Sequence, residues 1–155
     1  MTYSKRPMAE LFRLLSASEK ELWSTHGIRE AGGYATRLVA EALGARVLTN
    51  GVNKGYDLTD ASLGRIEVRS RRYPFDGRRE DRVQVPAVKQ GLFDHFVHVV
   101  FDESYGIAGA YLAPHDPIDV LASRDRRRYV RFADGRGLPQ AIDLTAEVRR
   151  AQASL

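Results

Sequence analysis

The chain has 155 residues, 43% of them hydrophobic and 28% charged, and these proportions are typical of one soluble globular domain. It contains no cysteine, which excludes disulfides and thiolate metal sites, so any metal ligands must be oxygen or imidazole groups. The formal net charge is +4, and twenty of the basic residues are arginines, which suit contacts with phosphate. A GC-rich coding sequence also accounts for part of this excess of arginine over lysine.

The N-terminal residues lack the apolar segment of a secretory signal. No stretch of the sequence approaches the length of a membrane span. Together these two features predict a cytoplasmic protein without membrane contacts.

The first third of the chain predicts three helices. Apolar residues recur at helical spacing between positions 8 and 15, after Pro7, and Ser18 begins a capping-box pattern for a second helix that ends at Gly27. The strongest pattern covers residues 28–43, where one face is apolar and Gly44 follows as a stop signal. Three successive helices fit a helix-turn-helix DNA-binding protein, or a helical extension followed by a helix that covers a sheet. The second interpretation is favoured, because the third helix lacks a run of base-reading side chains.

The rest of the chain predicts a mixed sheet with two more helices. Residues 93–101 are almost continuously apolar, which indicates a strand buried on both faces, and residues 107–112 pair with it across a turn. His95 and His98 fall on opposite faces of that strand, which favours core histidines over a shared metal site. Helices are predicted over 116–122, where Asp116 caps the first turn, and from Thr145 to about residue 152. The other predicted strands cover residues 46–49, 56–58, 65–71, 82–85 and 129–132, with a charged loop over 73–81.

This pattern gives an α+β fold in one domain spanning residues 1–155. Residues 1–26 form an N-terminal helical extension, residues 28–112 the core, and residues 113–155 the C-terminal helix and strand elements.

Two carboxylates are predicted to face each other across a hairpin. A turn centred on Ser62 places Asp57 opposite Glu67, and like charges in that position repel, so a positive group is expected between them. Glu67 and Arg69 share one face of their strand, whereas the residues between and before them point into the core. An acid followed by an acid-x-base pair suits a hard divalent cation held beside a phosphate.

The same hairpin resembles the catalytic segment of the PD-(D/E)XK, or restriction-endonuclease-like, superfamily. The matching residues are Asn-Lys-Gly-Tyr-Asp-Leu at 53–58 and Gly-Arg-Ile-Glu-Val-Arg-Ser-Arg at 64–71, within a resemblance that covers about 28–112. It implies a restriction-endonuclease-like sandwich, with a central mixed sheet, the 28–43 helix on one face and the later helices on the other.

The resemblance also implies the activity and its residues. The activity is a DNA endonuclease dependent on Mg²⁺, with Mn²⁺ as a substitute, in which Asp57, Glu67 and the carbonyl of Val68 bind the metal. Arg69 stands where the family has lysine, and Glu30 is the substitute for an acidic residue on the preceding helix, with Glu41 a second choice. The residues expected to contact nucleic acid are Lys54, Arg71, Arg72, Arg78, Arg79 and Lys89.

The arginine at the lysine position leaves two further readings open. Arg69 keeps a positive charge for a phosphate oxygen, but it cannot release a proton near neutral pH. The main alternative is therefore a catalytically degenerate module that binds nucleic acid or a protein partner without cleaving. A third alternative is a helix-turn-helix regulator. A homodimer is also plausible for such an enzyme, since cutting both strands of a duplex usually needs two active sites.

Overall fold

The computed structural model describes residues 5–48 and 55–155, and it has an α+β architecture, as predicted. Within these residues no helix is both long enough and apolar enough to cross a membrane. The helices are α1 (Met8–His26), α2 (Ala31–Leu43), α3 (His115–Ser123), α4 (Phe132–Arg136) and α5 (Thr145–Ser154). The strands are β1 (Arg46–Val47), β2 (Leu58–Asp60), β3 (Gly64–Arg72), β4 (Val83–Gln84), β5 (His95–Phe101), β6 (Ile107–Pro114), β7 (Tyr129–Val130) and β8 (Ile142–Asp143).

The central sheet is mixed, as expected, and has six strands in the order β1-β2-β3-β5-β6-β8. β3 and β5 run parallel, and the other neighbours are antiparallel. β5 is buried on both faces, which explains its nearly unbroken apolar sequence. The remaining two strands, β4 and β7, form a separate antiparallel pair.

Two helices cover each face of the central sheet. α2 lies on one face over Ile66 and Val68, and α3 and α4 lie on the other, against a core that includes Phe96. α5 packs beside α2, so the prediction that the later helices all lie opposite α2 is wrong for α5. The reason is the apolar stripe of α5, in which Val148 and Ala151 point into the α2 core, whereas its other faces are polar.

The N-terminal segment forms one helix where two were predicted. α1 continues through Ser18 without a break, because no glycine or proline interrupts residues 8–26 and serine weakens a helix only slightly. It ends at Gly27, which has a left-handed φ of 66°. The next helix, α2, begins three residues later than expected and ends before Gly44, as predicted. Two helices therefore precede the first strand, and the three-helix arrangement is wrong.

Three differences concern the C-terminal third. Phe132 begins the short helix α4 and is not the end of a strand. α3 begins directly after Pro114, so Asp116 lies inside its first turn and does not cap it. β8 was not predicted, because two residues at a sheet edge carry too little periodicity to be recognised.

Candidate active site

The hairpin brings the two predicted carboxylates close together. Leu58 pairs with Ile66 and Asp60 with Gly64, and beyond these pairs the Asp57 amide donates to the Ile66 carbonyl at 2.8 Å. The Asp57 carboxyl lies near enough to that of Glu67 to contribute to its raised pKa. The turn is fixed by Asp60, whose Oδ2 accepts hydrogen bonds from the backbone amides of Ser62 (3.0 Å) and Leu63 (2.9 Å). The local sequence of the turn therefore determines which side chains face each other.

Asp57 is held against the backbone of the neighbouring strand. Its Oδ2 accepts a 2.8 Å hydrogen bond from the amide of Val68. Because the N–H and C=O of one strand residue point to the same edge, the Val68 carbonyl is directed to the side where Asp57 lies. One carboxylate and one carbonyl oxygen therefore lie together beyond the end of the β2–β3 pairing.

Glu67 is the buried acid of the site, with a relative exposure of 2%. Burial raises the pKa of its carboxyl to about 7, the adjacent Asp57 adds to the increase, and the ammonium of Lys89 opposes it. Lys89 contacts Glu67 Oε2 directly, and the Nε of Arg69 lies 3.9 Å from Glu67 Oε1. Lys89 thus supplies a positive group at Glu67, but no ion pair among the described residues joins it to Asp57, so it is not placed between the two carboxylates.

Lys89 reaches this position through a turn that follows the strand β4. Residues Ala87–Lys89 form a single 3-10 turn after Pro86, whose fixed φ starts it. Sequence reasoning assigned Lys89 to contacts with nucleic acid and did not bring it to Glu67, which is 22 positions away. No local pattern could have done so, because the contact depends on how the β4 region returns to the sheet.

Arg69 is held in the cleft without a complete set of partners. Its Nε is buried and finds no hydrogen-bond acceptor among the residues that the structure describes. About a third of the side chain is exposed. The exposed part of the guanidinium can donate to an anion that enters from solvent, whereas the buried Nε faces the interior of the cleft wall.

All these groups line one cleft of about 900 Å³. Its walls include the C-terminal end of α1, the first turns of α2 and the Val68–Ser70 segment of β3. Glu30, immediately before α2, lines the cleft and is exposed, so the predicted substitute acid is brought to the same opening as Asp57. Gly32 and Gly33 place the positive end of the α2 dipole there too, which favours an anion.

The donor set fits a magnesium ion. Mg²⁺ prefers oxygen ligands and binds through one or two carboxylates, with water and substrate phosphate completing its shell. Asp57, Glu67 and the Val68 carbonyl supply such oxygens, and a cation would offset both the burial of the Glu67 carboxylate and the repulsion from Asp57, which together raise the pKa of Glu67. Among the described residues no group of three or more His, Asp or Glu side chains is arranged as a ready metal site.

The residues predicted to contact nucleic acid fall into different environments. Arg71, Arg78 and Arg79 are exposed, and Arg78 is paired with Asp76 at 2.7 Å. Arg72 is engaged within the chain, since its Nε donates to the carbonyl of Glu103 at 2.9 Å and its guanidinium covers the ring of Tyr105. Lys54 lies outside the described residues. β4 pairs with β7 and thereby brings the arginine-rich segments at 78–82 and 124–131 together.

Comparison with known proteins yields no family for this chain, since no family model matches it and no curated protein matches it. The chemistry of the cleft is therefore inferred from its own side chains.

Proposed function

We propose that this protein is a metal-dependent nuclease that hydrolyses phosphodiester bonds in DNA. The observation that supports it is one cleft that combines two adjacent carboxylates, a partly buried lysine and an arginine whose Nε has no hydrogen-bond partner among the described residues. The carboxylate oxygens suit a divalent metal ion, and the cationic side chains of Lys89 and Arg69 suit a phosphate. The same opening therefore accommodates both the metal ion and the phosphate of the substrate.

Asp57, Glu67 and the carbonyl of Val68 would hold Mg²⁺, or Mn²⁺ in its place. The bound cation supplies stabilisation of negative charge on the phosphate and a lower pKa for water. In the reaction a water oxygen attacks phosphorus, the bond from phosphorus to one bridging oxygen breaks, and the proton that the water gives up balances the one that the departing oxygen acquires.

Arg69 and Lys89 take separate roles in this proposal. Arg69 donates from the exposed part of its guanidinium to a phosphate oxygen and orients the substrate, but it does not exchange a proton. Lys89 contacts the Glu67 carboxylate and is a quarter exposed, so its ammonium can hold a water next to that carboxylate. A lysine that approaches the site from another segment can thus perform the task for which Arg69 is unsuited.

The test combines metal binding with cleavage of supercoiled plasmid. We expect Mg²⁺ to bind the wild type by calorimetry and to support cleavage that a chelator stops. Asp57→Asn and Glu67→Gln should lose metal binding and reduce cleavage by about a hundredfold or more. Glu103→Gln is the matched control, because Glu103 is an exposed carboxylate on a distant turn, and it should behave as the wild type. Equal activity in Glu67→Gln and Glu103→Gln would contradict the proposal.

A second candidate function is binding of nucleic acid without cleavage. The observation that favours it is the Lys89–Glu67 ion pair, which already neutralises the buried acid within the chain. In that case the wild type would show no metal binding and no cleavage, while its DNA affinity would fall steeply with salt and would not depend on Mg²⁺.

Lys89→Ala and Arg69→Lys separate the roles of the two cations. If Lys89 holds the water, Lys89→Ala reduces the rate of cleavage with little change in DNA affinity, and Arg69→Lys in that background restores part of the rate. If both variants affect only affinity, the binding-only function is the better description.

A further inference from the structure

The arginines of the chain are concentrated on one surface outside the cleft. Residues 78–82 and 124–131 contain eight of the twenty arginines and only three acidic residues, so these thirteen positions have a net charge of +5, compared with +4 for the whole chain. A GC-rich coding sequence favours arginine at every position alike and does not explain such a concentration. The two segments together form the arginine surface.

The pairing of β4 with β7 joins the two segments into one continuous surface. Two concavities lie on it, of about 540 and 420 Å³, and Arg82 and Arg131 line both of them. Arg78 and Arg79 line the first concavity, and Arg124 lines the second. Arginines from both segments therefore face the same two depressions.

Most of these guanidinium groups are not neutralised by carboxylates of the chain. Three of the eight arginines are paired internally: Arg78 with Asp76, Arg82 with Glu80 and Arg128 with Asp119. The other five are exposed and form no ion pair with any residue that the structure describes: Arg79, Arg124, Arg126, Arg127 and Arg131. Their charge is available to an anion from solution.

The turn that carries the second group of arginines is fixed by hydrogen bonds. Asp125 Oδ2 accepts from the backbone amides of Arg127 at 2.9 Å and Tyr129 at 3.0 Å. The side-chain amide of Gln84 donates to the Arg127 carbonyl at 2.9 Å and thereby ties the turn to β4. The arginines are thus presented from an ordered backbone, which reduces the entropy lost when a ligand binds.

Arg71 connects the arginine surface to the cleft. Side chains two apart on a strand share a face, so Arg71 lies on the same face of β3 as Glu67 and Arg69, about 7 Å beyond Arg69. On its other side Arg71 lies near Glu80. The hydrogen bond from Arg82 lowers the pKa of Glu80 below its ordinary value, and the charge of Arg71 adds to this effect. Positive groups therefore continue from the cleft to the first concavity.

We propose that the arginine surface binds the phosphate backbone of a nucleic acid outside the cleft and holds the part of the strand that extends beyond the scissile bond. A single small anion would fill one concavity, whereas a row of positive groups across two concavities matches the repeated charge of a polynucleotide. The choice of a nucleic acid rests on the proposed function, because the row leads out of the cleft to which we assign phosphodiester hydrolysis.

The side chains among the arginines favour a nucleic acid over an anionic membrane. Sites that lie on membranes combine basic residues with large apolar side chains that enter the lipid. Among the described residues, no exposed large apolar side chain lines either concavity. Leu121 and Leu138 in the second concavity are half-buried, and Val130 is buried. The surface therefore offers charge without an apolar anchor.

Fluorescence anisotropy of a labelled DNA duplex of about 30 base pairs over a salt series tests the surface, with a chelator present to prevent cleavage. The variant Arg79→Gln/Arg124→Gln/Arg131→Gln removes one unpaired arginine from each concavity and one that lines both. Its affinity for the duplex should fall at least about thirtyfold. The slope of the logarithm of affinity against the logarithm of salt should decrease by about three, one for each lost phosphate contact.

The matched control removes three exposed arginines elsewhere, in the variant Arg6→Gln/Arg13→Gln/Arg150→Gln, and changes the net charge equally. It should lose less than about threefold in affinity, and circular dichroism should show both variants folded. Equal weakening in the two variants would mean that DNA responds only to net charge and would overturn the proposal. An arginine-surface variant that keeps its DNA affinity but no longer binds phosphatidylserine vesicles would assign the surface to a membrane instead.

Hydrolysis assays distinguish failure of this proposal from failure of the proposed function. Bis(p-nitrophenyl) phosphate is small enough to occupy the cleft alone, so the arginine-surface variant should hydrolyse it as fast as the wild type. For plasmid the same variant should show a KM raised about tenfold or more with kcat unchanged. A wild type that hydrolyses neither substrate, with DNA affinity still lost in the variant, would refute the nuclease and support the surface. A wild type that cleaves, with equal KM for plasmid in the two triple variants, would refute the surface and support the nuclease.

Discussion

Two ionisable side chains are buried on neighbouring strands, and their surroundings differ. His98 on β5 is paired in register with Arg69, two residues beyond Glu67 on β3, and both Glu67 and His98 are almost inaccessible to solvent. His98 Nδ1 lies 2.9 Å from the Tyr111 hydroxyl and Nε2 lies 2.7 Å from the Asp81 carbonyl. The carbonyl can only accept, so Nε2 donates to it, Nδ1 accepts from Tyr111, and the ring is neutral.

Unlike His98, Glu67 does not have a complete set of hydrogen-bond partners in a closed core. Its neighbours are another carboxylate, an ammonium and a guanidinium whose Nε has no acceptor among the described residues, and its cleft opens to solvent. A buried polar group whose hydrogen bonds are all satisfied stabilises the fold. A cluster of charges whose pairing is incomplete is stabilised when a ligand supplies the missing partner. Within a single sheet, His98 is therefore a polar residue whose hydrogen bonds stabilise the fold, whereas Glu67 is the residue for which we propose a function.

The largest effect on stability is expected from His98→Leu. This substitution leaves the Tyr111 hydroxyl and the Asp81 carbonyl without their partner inside the core, so the free energy of unfolding should fall by about 3 kcal/mol. Urea denaturation measures it. Tyr111→Phe removes one hydrogen bond and keeps the ring, and it should cost about 1 kcal/mol. A loss below 1 kcal/mol for His98→Leu would remove the distinction between the two regions.

The second largest effect is expected in the pH dependence of the free energy of unfolding, to which His98 contributes. Burial lowers the pKa of His98 to about 4, below its ordinary value of 6.5. The unfolded chain then binds more protons between these values, so this contribution is complete above pH 6.5 and is lost as pH falls towards 4. The loss amounts to at most about 3 kcal/mol. Stability curves of wild type and His98→Leu at several pH values should differ in slope over this window.

Glu67 should affect the pH dependence of the free energy of unfolding in the opposite direction to His98 and more weakly, and the variant Glu67→Gln tests this. The raised pKa of Glu67 means that its contribution to stability is complete below pH 4.5 and is lost as pH rises through about 7. The variant should match the wild type at pH 4 and exceed its free energy of unfolding by about 1–2 kcal/mol at pH 8, less than the full shift because the substitution also removes the ion pair with Lys89. Glu103→Gln should leave this profile unchanged. A variant less stable than the wild type at pH 8 would make Glu67 a structural residue like His98.

The smallest effect on stability is expected from Arg69→Met. The Nε of Arg69 makes no hydrogen bond with the described residues, and methionine retains much of the apolar packing, so the free energy of unfolding should change by less than about 0.5 kcal/mol. The affinity for DNA should fall about three- to tenfold, and the slope of its logarithm against salt should decrease by about one. Fluorescence anisotropy over a salt series measures both. An unchanged affinity would place Arg69 outside the binding surface.

The hairpin and the main sheet could be predicted because their signals are local. Asp60 and Gly64 define the turn, and the alternation of side chains along β3 then assigns Glu67 and Arg69 to one face. The apolar sequence of β5 likewise indicated burial on both faces. In contrast, the single helix α1 was missed, because a capping-box pattern is also compatible with the interior of a longer helix.

The candidate site was predicted only in part. The proximity of Asp57 and Glu67 follows from the turn, but the contact of Lys89 with Glu67 joins residues 22 positions apart through an irregular segment. The position of α5 beside α2 had no local signal either, since an amphipathic helix fits either face of a sheet with two apolar sides.

By itself, the sequence determined the α+β class, the two glycine helix ends at Gly27 and Gly44, and the proximity of Asp57 and Glu67. Each of these depends on backbone preferences and side-chain periodicity over a few residues. Only the tertiary structure decided which cation pairs with Glu67, that His98 is fully hydrogen-bonded and that α1 contributes no buried residue among those described. Those outcomes depend on contacts between segments far apart in the chain, and no local pattern encodes which of several compatible surfaces will meet.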